Sequence, residues 1–197
     1  MGMERPPGYT YGTPAVPKSP ITLEEFEKMK QTVMFTDEDI EYLRMSRDVL
    51  ADQVKEIVDT WYQFIGSQPQ LIRYFSTCGN GRPIWRYLSR VHARFQQWIL
   101  DTAAANYDQD WLDYQYEIGL RHHRTKKNRT DGVPAVPHID YRYMIPLIYP
   151  VVATLRPFLG AKGHTPEQVE RMLEAWLKSV LLQVALWSQP YIKDGDF

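Results

Sequence analysis

Chemistry in this chain centres on His122, one of an adjacent pair with His123, because helical geometry places only one of the two on an apolar face. Within Trp111 to Arg124, at about 100° per residue, Trp111, Tyr114, Ile118 and His122 fall inside one ~80° arc, and His123 lies about 100° further round. Asp113, Glu117 and Arg124 mark a solvent side, with Glu117 and Arg121 spaced to pair at i,i+4. A neutral imidazole on an apolar stripe can hold a metal ion through one nitrogen if the other has a partner. On spacing alone, a core histidine bonded to a backbone carbonyl is the commoner arrangement. His122 and His123 cannot share one ion, since adjacent helical positions diverge, and no H-E-x-x-H pattern exists.

Iron held in a haem needs an apolar cavity with a second wall facing the imidazole. Val91 and Phe95, at i,i+4 on a long helix, and the pair Trp61 and Tyr62 on an earlier one offer bulk and one phenolic donor. The same residues also read as ordinary aromatic core. Arg121, Arg124, Lys126, Lys127 and Arg129 form a basic cluster that complements the dipole of a helix C-terminus, with haem propionates or another anion as the next option. No G-x-S-x-G and no nucleotide-binding glycine motif is present. His92, His138 and His164 read as surface or loop residues.

The elements that position these residues are helices. Thr22 to Glu25, Thr36 to Asp39 and Thr165 to Gln168 read as capping boxes, the last with Pro166 at the first helical position. Apolar residues recur at helical spacing from Ile40 to Ile65, with a break near Met45 to Asp48 that predicts two helices end to end. A short helix follows Pro69, a long one carries Trp85 to Ile99, and Asp108 to Arg124 carries His122. In the next apolar helix, Pro146 and Pro150 predict bends and Pro157 to Gly160 a break. The final helix has an apolar face wide enough to cover part of a second subunit. Residues 1–20, with five prolines, read as an extended arm packed on a single domain of residues 21–197. No strand pattern stands out, so the fold class is all-α.

The 197 residues, 44% of them apolar, suffice for one core. A net charge of -1 gives no general attraction to nucleic acid or anionic lipid. The single cysteine, Cys78, excludes an intrachain disulfide and fits a reducing cytosol. No C-x-x-C-H pattern exists, so a haem would be bound non-covalently. No signal peptide and no eighteen-residue membrane window is read, and the expected location is cytoplasmic.

Gly8-Tyr-Thr-Tyr-Gly12, Asp59-Thr-Trp-Tyr62, Trp98-Ile-Leu-Asp-Thr102, Trp111 to Asn128, and Gln183-Val-Ala-Leu-Trp187 with Pro190 and Tyr191 closely resemble the protoglobins, nearly end to end. The resemblance implies a globin-like helical sandwich with an additional N-terminal helix near residues 23 to 33. It also implies an arm that helps bury the cofactor, apolar tunnels, and a homodimer through the last two long helices. The implied cofactor is haem b, with His122 as the proximal iron ligand beside Tyr114 and Ile118. Trp61, Tyr62, Val91, Phe95, Leu147 and Val151 match distal-pocket positions, and Arg94 matches a propionate partner. The implied function is reversible binding of O2, CO and NO. The alternatives are a haem enzyme (an NO dioxygenase or peroxidase-like, or an engineered carbene or nitrene transferase) and a gas-sensor module without its output domain. Two departures stand out: Leu147 replaces an expected phenylalanine and Gln63 an expected glycine, which implies a larger pocket at 147 and a more polar one near 63.

Overall fold

The computed structural model describes residues 5–197, so the first four residues of the expected arm lie outside the described residues. Its helices are α1 (Leu23–Thr32), α2 (Asp37–Leu50), α3 (Val54–Gly66), α4 (Pro69–Ile72), α5 (Trp85–Ala104), α6 (Gln109–His122), α7 (Ile148–Leu159) and α8 (Pro166–Ser188). No strand is formed among the described residues, only two isolated bridges. The three threonine starts hold their helices as capping boxes. At the second, the Asp39 carboxylate accepts from the Thr36 backbone N–H at 2.7 Å, satisfying a donor that helix geometry leaves free. Helix α8 packs on α2, α6 and α7, while α3 packs on α5 and α7. Phe26, Leu43, Leu50, Leu112, Trp111 and Trp176 are buried between them.

The break expected near Met45 to Asp48 falls instead at Ala51 to Gln53, and α2 runs through the polar stretch. Ser46 explains this: its buried hydroxyl donates to the Leu43 carbonyl at 2.6 Å and accepts from the Trp176 indole at 2.9 Å. A small polar residue with both partners inside the protein fills a core position. The bends expected at Pro146 and Pro150 are also replaced. Pro146 precedes α7, and Pro150 lies in its first turn, where no backbone donor is required. Pro157 sits inside α7, which ends two residues later at Leu159.

Tyr141–Lys162 is long and apolar enough to cross a membrane by length and composition alone, a test that a core helix also passes. Helix α7 itself has 12 residues, roughly 18 Å of helix against a hydrocarbon core of about 30 Å. It packs against α3 and α8.

The arm covers α6. Asp113 accepts from Lys18 Nζ at 2.7 Å and from the Ser19 N–H at 2.9 Å, and the Gly8 carbonyl accepts from Arg121 Nη1 at 2.7 Å. Tyr9 and Tyr11 stand edge-on to Tyr114, and the Tyr9 hydroxyl donates to Asp101 at 2.8 Å. Two of the three residues of the expected solvent side are therefore covered: Asp113 and Glu117 are buried, each held by basic partners, while Arg124, past the end of α6, is exposed. Periodicity marks polar residues as a face but does not see a distant segment laid over them.

Candidate ligand cavity

A cavity of about 240 Å³ opens inside the helical shell. Helix α3 contributes Trp61 and Tyr62, α5 contributes Val91, Arg94 and Phe95, and α6 contributes Tyr114, Ile118 and His122. Leu147 and Val151 line it from the start of α7, so all ten sequence-selected residues share one cavity. His123 does not line it; it lies beyond the end of α6, against His138 and Tyr191. Gln63 is exposed on α3 and also stays outside, so the expected polar change near 63 does not reach the cavity.

His122 is locked in one orientation. Its Nδ1 lies 2.8 Å from the Ile118 carbonyl oxygen. A carbonyl only accepts, so Nδ1 carries the proton and Nε2 of the neutral ring keeps a lone pair. Burial lowers the pKa of His122 below the ordinary histidine value, the Ile118 bond opposes this, and the charges of Lys127 and Arg121 add to the lowering. The ring is therefore neutral at pH 7, as metal ligation requires. Trp187 of α8 stacks on the imidazole at 5.3 Å between centroids, with 12° between the planes. Its indole N–H donates to Gln115 Oε1 at 2.8 Å. A Cβ on Gly119 would come within 3.0 Å of the Trp187 backbone, so glycine there allows this close approach of α8. Gln115, Ile118, Gly119 and His122 thus form one face of α6 that seats both the imidazole and the ring stacked on it. Trp187 lies in the Gln183 to Trp187 string of the last helix, but no local sequence signal marks its stacking on His122.

The α3–α5 wall differs. The Tyr62 hydroxyl has no hydrogen-bond partner among the described residues, and burial raises its pKa, so it remains a protonated donor. The Trp61 indole N–H is buried and equally without a partner. Phe95 packs edge-on to Trp61 at 4.9 Å. His92, read as a surface residue, bridges the two helices: Nε2 lies 2.7 Å from Asp59 and Nδ1 2.9 Å from Gln96, with its ring against Tyr62.

Polar groups gather at one end. Arg94 Nη1 and Nη2 bind the buried Asp131 carboxylate at 3.1 and 2.6 Å, and Nη1 also donates to the Pro7 carbonyl. Gly8, at φ +79°, has no room for a Cβ between Arg94 and Thr130, so the arm presses directly on this end. Lys127, grouped by sequence with cations that complement the α6 dipole, is instead buried and lines the cavity. Arg121 and Lys126 both pair with Glu117.

Among the described residues, no three His, Cys, Asp or Glu side chains come together as a metal site. One neutral imidazole facing an aromatic cavity instead fits a metal carried by a flat apolar group, as in haem. Leftover buried donors and a polar end suit a ligand with mixed chemistry.

A family model described as Protoglobin matches residues 22–197. The chain is also similar to the globin domain of a Geobacter sulfurreducens globin-coupled sensor, at 20% identity and a TM-score of 0.63, covering 85% of this chain and 97% of that one. That likeness shows a globin fold. No curated protein matches the chain in sequence.

Proposed function

Since this chain belongs to the protoglobin family, we propose that it binds haem b non-covalently on His122 and takes up O2, CO or NO reversibly. Membership of a globin family implies the haem cofactor itself. The observation that carries the ligand assignment is the His122 Nδ1 bond to the Ile118 carbonyl, which keeps Nε2 unprotonated in the cavity. When bound, haem supplies an iron with a coordination position open to a diatomic gas. Trp187 and Ile118 hold the imidazole plane, and Tyr62 offers a phenolic proton to a polar ligand. Trp61 and Phe95 narrow the cavity on the same side, while Leu147 leaves more room than a phenylalanine.

Two further parts of the proposal rest on other observations. Tyr149 on α7 and Leu177 and Leu181 on α8 leave apolar surface exposed, which supports a homodimer through these two helices. The single free cysteine, exposed at Cys78, supports a reducing, cytoplasmic setting. Purified protein supplied with haem is expected to show a Soret band that shifts when CO is added after reduction. Protein that shows no such band after haem supplementation overturns the reading.

A further inference from the structure

The geometry points to Lys127 and Thr130 as a carboxylate-binding subsite at the polar end of the cavity, taking one propionate of the porphyrin; this rests on the haem reading above. Lys127 is 2% exposed, and its Nζ donates to the Tyr74 carbonyl at 2.7 Å and the Val136 carbonyl at 2.6 Å. The third proton has only Asn128 Oδ1 at 3.5 Å, beyond a good hydrogen bond. These acceptors are neutral, and no carboxylate among the described residues pairs with the ammonium. A buried charge without a counter-charge is costly, so a site that keeps one is suited to an anion that arrives later.

The other cations facing the cavity are already neutralised. Arg94 pairs with Asp131, and Arg121 pairs with Glu117. An added carboxylate would have to displace Asp131 to use both Arg94 nitrogens, whereas it meets Lys127 without breaking an ion pair. Thr130, three residues further along the same loop, supplies the second observation: its hydroxyl oxygen is buried, lines the cavity and has no partner in the protein. A carboxylate has two oxygens, one for an ammonium and one for a hydroxyl. Tyr87 lies beneath the ammonium, 5.2 Å from its ring centroid to Nζ, and fixes the depth at which the charge sits. Burial also pushes the Lys127 ammonium down to about 8, the direction expected of a cation that lacks its anion.

The alternative role for Lys127 is structural, tying the 127–136 loop to Tyr74 through two carbonyls. The test compares haem with haem dimethyl ester, whose propionates carry no charge, in wild type, Lys127→Met and Thr130→Val. Each pigment is loaded, and its rate of transfer to an excess of a haem-free acceptor globin is measured. Wild type is expected to lose the diester about tenfold or more faster than haem, and Lys127→Met is expected to lose the two at nearly equal rates. Thr130→Val, which leaves the carbonyl contacts of Lys127 intact, should narrow the wild-type ratio severalfold. It decides the matter even if the lysine variant does not fold. An undiminished ratio in Thr130→Val, or a Lys127→Met that loses both pigments faster by the same factor, overturns the subsite. Wild type without a Soret band for either pigment defeats the haem reading itself.

Discussion

Around the His122 ring, polar atoms of α6 and α8 are tied within the protein: Nδ1 to Ile118, the Trp187 indole to Gln115, and Glu117 to Arg121 and Lys126; the Tyr114 hydroxyl, also on α6, bonds nothing among the described residues. Across the cavity, on α3 and α5, the Trp61 indole and the Tyr62 hydroxyl are left untied among equally bulky rings. Both walls are aromatic, so hydrophobic burial does not separate them. Hydrogen-bond satisfaction around the imidazole does. Buried donors without partners are costly, so each one calls for an explanation, and an acceptor on a bound ligand is one. The first wall holds the imidazole in one orientation, and the second presents donors that nothing among the described residues satisfies.

This contrast predicts opposite consequences for substitutions in the two walls. Trp187→Ala removes the stacked ring and leaves Gln115 without its donor, and should cost about 3–5 kcal/mol of stability in urea unfolding. A loss below about 1 kcal/mol would show that the tied wall carries no special packing. Outside both walls, the buried Lys127 ammonium, hydrogen-bonded but without a counter-charge, has its own cost in the haem-free protein. Lys127 has a folded pKa of about 8 against an ordinary value of 10.5, so between these values the unfolded chain binds more protons. Stability of the haem-free protein should therefore rise with pH across this window, by at most about 1.4 kcal/mol per pH unit, and the rise should vanish in Lys127→Met. A flat wild-type profile contradicts an uncompensated ammonium. The smallest effect is expected at Tyr62→Phe: oxygen dissociation about tenfold faster, with unfolding shifted by less than about 0.5 kcal/mol, because the hydroxyl bonds nothing in the protein. A large stability loss there would erase the difference between the walls.

Local signals carried much of this into the sequence. Threonine caps start α1, α2 and α8, and helical phase alone separates His122 from His123. What escaped depends on partners far along the chain. Ser46 keeps α2 continuous because Trp176, on the last helix, donates to it. Asp113 and Glu117 look solvated until the arm is laid across α6. Lys127 reads as one of five cations near a helix end, and only the carbonyls of Tyr74 and Val136 show that it points inward. Gln63 follows two cavity residues and still faces solvent, since each helical step turns the side chain by about 100°.

In the proposed function, one histidine of the pair holds the iron and its neighbour does not. Resonance Raman spectra of the reduced, haem-loaded protein measure this directly through the iron–histidine stretching band. The band is expected to disappear in His122→Gly, to be replaced by an iron–imidazole band when free imidazole is added, and to be unchanged in His123→Gly. A band that survives in His122→Gly without added imidazole, or one lost in His123→Gly, contradicts this assignment.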